Sequence, residues 1–460
     1  MGSLVNEVIG GNSAANQQIA MSQFYFTFTN TLRTSFIENS NFVYNGSNAS
    51  SPLNNGQWLG YAIAMSSNGQ TAAVINGLSQ FSDNTFPPVQ RLFIYTRSGS
   101  TWTLQQTLTT TFFRNSFGRE TIFTSVALSA NGNTMAVGLK STPLNNGRVE
   151  IYVRSGSTWA LQQSLVGSPS AIQQYMGGTV ALSASGDILA ASSTGIDDRG
   201  VYVWVRSGST WTQQAILTGF AVGSPFVDTV SVSLSADGLT LAAGNSTANP
   251  GPYFQQGNGL VKVYIFTAGS WVLQTTILPA AAVTDDKEFG RAVSLSADGN
   301  TLAIGAPGTP ANVPTIGNHG NIGAVTVYRR TGSTWAVQLN EFTPSNFIYP
   351  QQGKGYDYGP RIGASLSLSG DGSYLVVGAP QQPQVFEGIS CGAYWIFSRS
   401  GSTWTQVSGP NYPPGTYASN YSSLFGNSVV LSSNSNYLTV GQNAFQAFTN
   451  VSTGKVLMYD

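Results

Sequence analysis

His319 and Cys391 are the only histidine and the only cysteine in this chain of 460 residues. One imidazole excludes the multi-histidine zinc patterns, and one thiol excludes an intrachain disulfide and a cysteine-based metal site. His319 lies in the glycine- and asparagine-rich stretch Gly317-Asn318-His319-Gly320, which reads as a loop rather than as the base of a catalytic triad. Carboxylates remain. Glycoside hydrolysis needs two of them across a sugar, roughly 5–10 Å apart. Glu120, Asp228, Asp285 and Asp357 stand at the entries to candidate inner strands, from which they could face a central channel. Asp285, Asp286 and Glu288 form an acidic trio able to hold calcium, with a solvated loop as the simpler reading. Neither a Walker nor a Rossmann fingerprint is present. The expectation is a chain that is not an enzyme, with no cofactor and no resident metal.

Only 8% of residues are charged, and Lys+Arg and Asp+Glu balance at 19 each. Typical soluble proteins carry roughly 25%. No bulk field favours nucleic acid or an acidic membrane surface. No apolar run approaches the roughly 20 residues that span a bilayer, so membrane insertion is not expected. Residues 1–21 lack the basic and apolar regions of a secretion signal and are read as a flexible tail. An extracellular or virion-surface location is expected from the charge-poor composition. Five glycosylation sequons begin at Asn45, Asn48, Asn245, Asn420 and Asn450, all read as loop positions.

The elements that must position such residues are written in a repeat. Arg97-Ser98-Gly99-Ser100-Thr101-Trp102 recurs at Arg154, Arg206, Arg330 and Arg399, and in a shortened form ending at Trp271. Successive tryptophans lie 57, 52, 60, 64 and 69 residues apart. A repeat of that length marks an architecture built from copies of one unit. Each unit carries four alternating strand patterns, a to d, with a Gly-containing turn such as Ala297-Asp298-Gly299 between a and b. The a–b motif and strand c each occur seven times, and the chain stops after the seventh strand c. Residues 26–32 align with Trp102 to Leu108, so the N-terminal segment is expected to supply the missing strand and latch a ring. Closure would remove exposed sheet edges. The fold class is therefore all-β, a seven-bladed β-propeller of four-stranded antiparallel blades, one domain over residues 22–460.

Phe289-Gly290 and Gly305-Ala306-Pro307 spell an FG-GAP repeat; Ile362-Gly363 with Gly378-Ala379-Pro380, Phe117-Gly118 and Phe425-Gly426 keep parts of it. The chain resembles the FG-GAP, integrin-α-type propellers over residues 22–460. The resemblance implies a binding or surface module. The alternating-acid calcium loop of many FG-GAP repeats is not found, so calcium is not carried over.

Strand direction puts the a–b and c–d turns on one face and the b–c and d–a loops on the other. The second set is long, irregular and aromatic, which suits recognition on a rigid scaffold. Phe86, Phe113, Tyr175, Tyr253, Phe254, Tyr349, Tyr356, Tyr358, Phe386 and Tyr417 are the candidate ligand contacts there, with Phe347 and Tyr412 in the same loops. The expected partner is a protein or a glycan on a surface or assembly. The alternatives are a carbohydrate-active enzyme and an intracellular scaffold. On the opposite face a partial ring of Arg97, Arg154, Arg206, Arg330 and Arg399 reads as ion pairing and strand capping, broken by Phe266 in the fourth unit.

Overall fold

A computed structural model describes residues 32–37, 58–77, 90–110, 122–140, 147–167, 175–194, 200–220, 230–248, 258–279, 287–313, 317–319, 321–347, 359–383, 391–413, 424–442 and 455–459. They form seven four-stranded antiparallel sheets and one small hairpin, Ala311–Val313 with Gly317–His319. Blades 1 to 6 run over residues 58–110, 122–165, 180–217, 230–277, 292–342 and 365–411. Blade 7 takes three strands from 425–459 and its fourth from Leu32–Ile37. The innermost strands of successive blades touch in a closed cycle, with blade 7 against blade 1. Among the described residues no helix is long and apolar enough to cross a membrane.

The core is not one mass but a set of apolar layers, each sandwiched between neighbouring blades. Strand b is buried on both faces, as in Thr240–Asn245, Thr301–Ala306 and Tyr374–Ala379. Its residues are therefore small or β-branched and apolar almost throughout, the pattern of a strand with no solvent face. The layer between blades 5 and 6 joins Val325 and Val327 to Leu375, Val377, Trp395 and Phe397.

The ring closes as expected, but with a different segment. Leu32–Ile37 pairs antiparallel with Lys455–Tyr459, with Leu32 opposite Tyr459. Tyr459 pairs with Leu438 as Tyr95 pairs with Ala72, and Tyr95 faces Leu104. Leu32 thus stands where Leu104 stands, not at the place of Leu108, a displacement of four residues from the sequence alignment. An even slip returns every side chain to the same face, so the period-2 pattern cannot detect it. Residues 26–31 lie outside the described residues, as does the expected tail.

Four kinds of contact lock blade to blade. The first explains the glycines of the FG-GAP pattern. Gly147, Gly259, Gly323 and Gly392, at the start of strand c, bridge in parallel to Met176, Phe289, Ile362 and Phe425 of the following blade. A Cβ on Gly323 would lie 2.2 Å from the Ile362 carbonyl oxygen, and one on Gly305 would lie 2.0 Å from that of Gly363. Blade 2 departs from the expectation. The position six residues before the turn serine belongs to Gly290 in blade 5 but to Phe123 in blade 2, so Phe117-Gly118 does not open its inner strand and lies outside the described residues. There the Gln90 side chain stands in for the missing backbone bridge: its amide donates to the Phe123 carbonyl at 2.9 Å, and its oxygen accepts from the Phe123 N–H at 2.5 Å.

The second lock is the a–b turn. Its buried serine (Ser66, Ser129, Ser183, Ser235, Ser296, Ser369, Ser432) accepts a backbone N–H from five residues ahead, Thr71 through Tyr437. The next residue links the blades: N–H to carbonyl bonds run from Ser67 to Ala130, Ala184, Ala236, Ala297, Gly370 and Ser433 at 2.7–3.1 Å. The third lock is the outer strand, which bulges out of register once in blades 1 to 4 and twice in blades 5 and 6. Bulged residues Gln105, Gln162, Gln214 and Gln274 accept the indole N–H of Trp159, Trp211, Trp271 and Trp335 in the next blade at 2.8–3.1 Å. The tryptophans therefore sit at the blade-to-blade seams, Trp159 and Trp211 nearly wholly buried. The fourth is the arginine ring. Arg154, Arg206 and Arg330 lie over their own blade's tryptophan and donate to Thr71, Thr134 and Thr240 of the blade before. At the closing seam Arg97 instead stacks on Tyr437, 3.8 Å from the ring centre.

Candidate functional site

The long-loop face is where the backbone is forced. Each inner strand of blades 3, 5, 6 and 7 is entered through three residues: Tyr175-Met176-Gly177, Glu288-Phe289-Gly290, Arg361-Ile362-Gly363 and Leu424-Phe425-Gly426. The middle residue is buried at 0–1% exposure between blades, and the glycine has φ of 82–91°. To bring both into place the first residue adopts left-handed φ: 46° at Tyr175, 52° at Glu288, 59° at Arg361 and 45° at Leu424. That region costs a side-chain-bearing residue about 1–2 kcal/mol. Glycine would remove the strain. The chain instead keeps four different side chains there, at the channel end on the long-loop face. Strain retained at variable positions on a uniform scaffold is a mark of a functional site.

Blades 5 and 6 add charge to this rim. Arg361 pairs with Glu288 across the blade boundary at 2.6 Å, both side chains 20% exposed. Lys287, 5% exposed, pairs with Glu341 at 2.5 Å. Two of the ion pairs among the described residues thus lie side by side in a chain poor in charge. Arg291 follows on the inner strand, and its field reaches Tyr61 of blade 1. Burial pushes the Tyr61 phenol up, and the Arg291 charge opposes that shift. The two carboxylates of these pairs, Glu288 and Glu341, are each tied to a cation. Among the described residues no group of three or more His, Cys, Asp or Glu side chains could hold a metal.

Of the ten candidate aromatics, Tyr175 is at this rim, half-buried and left-handed. Phe86, Phe113, Tyr253, Phe254, Tyr349, Tyr356, Tyr358, Phe386 and Tyr417 lie outside the described residues, as do Glu120, Asp228, Asp285, Asp286 and Asp357. Phe347 and Tyr412 pack against the layer between blades 5 and 6 and are structural. His319 is on the small hairpin in the b–c segment of blade 5. Asn245 is corrected: it is not a loop residue but the buried end of strand Thr240–Asn245, and its amide donates to the Phe220 carbonyl at 2.6 Å, which leaves that sequon inaccessible. The arginine ring holds its blades through hydrogen bonds and ring stacking rather than mainly through ion pairs: Arg206 pairs with Asp187 at 2.6 Å, whereas Arg154 and Arg330 donate to the neutral side chains of Asn133 and Asn300.

Two signals were passed over in the sequence. The residue before each buried apolar–Gly pair marks the rim, and only the backbone shows why. Gly388-Ile389-Ser390-Cys391-Gly392 has the spacing of a nucleophile elbow. That elbow is a strand-to-helix turn, whereas here a strand follows, Ala393–Ser400. Cys391 is wholly buried, and burial pushes its thiol up to about 12.

No family model matches the chain, and no curated protein matches it in sequence. Solved structures do. A periplasmic gluconolactonase of Pseudomonas aeruginosa is similar at 18% identity and TM-score 0.48, over 75% of this chain and 84% of that one. Sqt1 of Chaetomium thermophilum, solved bound to the N-terminus of ribosomal protein L10, is similar at 13% identity and TM-score 0.48, over 88% and 98%. A putative 6-phosphogluconolactonase of Bacteroides uniformis is similar at 15% identity and TM-score 0.46, over 76% and 84%. At these identities the likeness is one of fold. It corrects the expectation that the chain is not an enzyme. The structures similar to it include a gluconolactonase, and a propeller scaffold by itself does not exclude catalysis, since fold does not fix function.

Proposed function

We propose that this propeller is an interaction module that recognises a protein partner through its long-loop face, centred on the strained rim formed by blades 3, 5, 6 and 7. The observation that carries the reading is the set of left-handed residues Tyr175, Glu288, Arg361 and Leu424, kept where glycine would be easier. The contrast between faces supports it. Short turns repeat around one face and spend their polar groups on each other, as Ser296 does on Asp298 and Thr301. The other face varies from blade to blade. Kinship with the FG-GAP propellers belongs to the same proposal and is supported by the glycine bridges. An extracellular or particle-surface location fits the charge-poor composition; fractionation of the native source tests it.

The test replaces Glu288 and Arg361 together by glycine. Both ends of the ion pair go, and two left-handed strains are relieved by about 1 kcal/mol each. Folding stability is expected to stay level or rise, while the partner cross-linked by the native protein in its source is lost. Arg154→Ala on the opposite face should leave that partner in place. Retention of the partner by the glycine variant, with loss in Arg154→Ala, would overturn the reading.

A further inference from the structure

The arginines of the ring hold the same place in their blades, and all but one direct Nε at an acceptor. Nε donates to Asn133 from Arg154, to Asp187 from Arg206, to Asn300 from Arg330 and to the Gly372 carbonyl from Arg399, at 2.7–2.9 Å. Arg97 is the exception. Its Nε is buried without a partner, and its side chain makes no hydrogen bond or ion pair with another described residue. Two differences in sequence account for this. Gln70 stands where Asn133 and Asn300 stand, and its Oε1 accepts from Asn68 at 3.2 Å instead. Tyr437 stands where Thr71, Thr134 and Thr240 stand, so a ring replaces the hydroxyl that receives the other arginines. That ring is clamped between blades: the Arg97 guanidinium lies 3.8 Å from its centre, and a Cβ on Gly69 would lie 2.0 Å from its edge.

A recess opens at this seam, on the short-turn face, with 280 Å³ of empty space counted out to its open mouth. Arg97 lines it together with the rings of Trp102, Tyr437 and Tyr459 and the thioether side chains of Met65 and Met458. None of the described residues that line it is acidic. The closing strand brings a second basic residue to the seam by register. Arg33 is its bulged residue, at the place that Gln105, Gln162, Gln214 and Gln274 take in other blades. Those glutamines offer an acceptor to the next blade, and an arginine has none to offer.

We propose that this recess binds a carboxylate carried on an apolar body, with Arg97 as its counter-ion. A guanidinium laid flat on an aromatic ring keeps its Nη edge for an acceptor, and that fork matches the two oxygens of a carboxylate. The guanidinium is already held in place by Tyr437, so little ordering remains to be done on binding. Walls of aromatic rings and thioethers suit an aliphatic or aromatic body behind the carboxylate. A free organic acid and an acidic side chain of a polypeptide present the same group. The site lies on the face opposite the strained rim and does not depend on the reading of that rim.

The full chain is titrated with phenylacetate, with a blocked tripeptide carrying aspartate between two phenylalanines, and with benzyl alcohol as the uncharged probe. Binding is followed by tryptophan fluorescence and by ligand-observed NMR. An acid is expected to saturate the site and benzyl alcohol is not. Tighter binding of the peptide assigns the carboxylate to a polypeptide, and tighter binding of phenylacetate assigns it to a free acid. Arg97→Gln should weaken binding about tenfold or more, as loss of a charge-assisted hydrogen bond implies, while Arg154→Gln should leave it level. Tyr437→Thr restores the residue of the other seams, gives the guanidinium a hydroxyl to bond, and should abolish binding. Melting curves show whether each variant is folded. Failure of both acids to saturate below about 10 mM, or binding that persists in either folded seam variant, overturns the proposal.

Discussion

At the scale of single residues, glycines divide into two kinds that sequence cannot tell apart. Gly323 and Gly332 both have positive φ, 91° and 61°. A Cβ on Gly323 would strike the Ile362 backbone, whereas one on Gly332 meets nothing within 4 Å. Gly323→Ala is therefore expected to lose about 3 kcal/mol or more, and Gly332→Ala about 1 kcal/mol, by urea unfolding. The acidic turn residues set a small pH dependence. Burial raises the carboxyls of Asp298 and Asp371, but hydrogen bonds from Ser296 and Asn300, and from Ser369 and Ser373, outweigh it and hold both below their ordinary value of 3.8. A depressed carboxyl stabilises the fold above its unfolded value and ceases to as pH falls through the folded one. Both side chains are exposed, so each contributes under about 1 kcal/mol. Asp298→Asn with Asp371→Asn, the amide found in blades 1, 2 and 7, should flatten the melting temperature between pH 5 and about 3 and leave it level at pH 7. An unchanged acid slope would contradict the assignment.

At the scale of elements, the outer strand is the instructive one. Its bulge turns one glutamine out of the ladder and aims it at the next blade, which also twists an edge that would otherwise pair with another chain. Gln162→Ala is expected to cost about 1 kcal/mol, the net value of the bond to Trp211. Trp211→Phe removes the same donor, so in the double variant the two losses should not add; full additivity would show that the contact is idle. The strands themselves are legible in the sequence, because alternation and the Gly turns are local. The bulge is not, since in blades 1 and 2 the residues at it are paired glutamines, Gln105-Gln106 and Gln162-Gln163, which are polar whichever face they take and so hide the one-residue shift.

At the scale of the whole molecule, stability depends on joining the two ends. Strand Lys455–Tyr459 gains its outer neighbour from Leu32–Ile37, and Arg97 stacks on Tyr437 at the same seam. Removal of residues 1–37 should lower the melting temperature and promote aggregation through the bared edge, while removal of residues 1–24 should not. Equal melting temperatures for the two truncations would mean that closure contributes nothing. The rim of the channel belongs to this scale too. Glu288 and Arg361 are 73 residues apart in sequence and meet only because adjacent blades bring them to one place.

Repetition by itself determined the number of blades, the strands within them, the two unlike faces and the fact of closure, since each follows from local pattern counted along the chain. Tertiary structure decided the register of the closing strand, the strain at Tyr175, Glu288, Arg361 and Leu424, and the meeting of Glu288 with Arg361 across a blade boundary. These depend on backbone approach between neighbouring blades, distances of a few ångströms across tens of residues, and a one-dimensional pattern with a period of two holds no record of them.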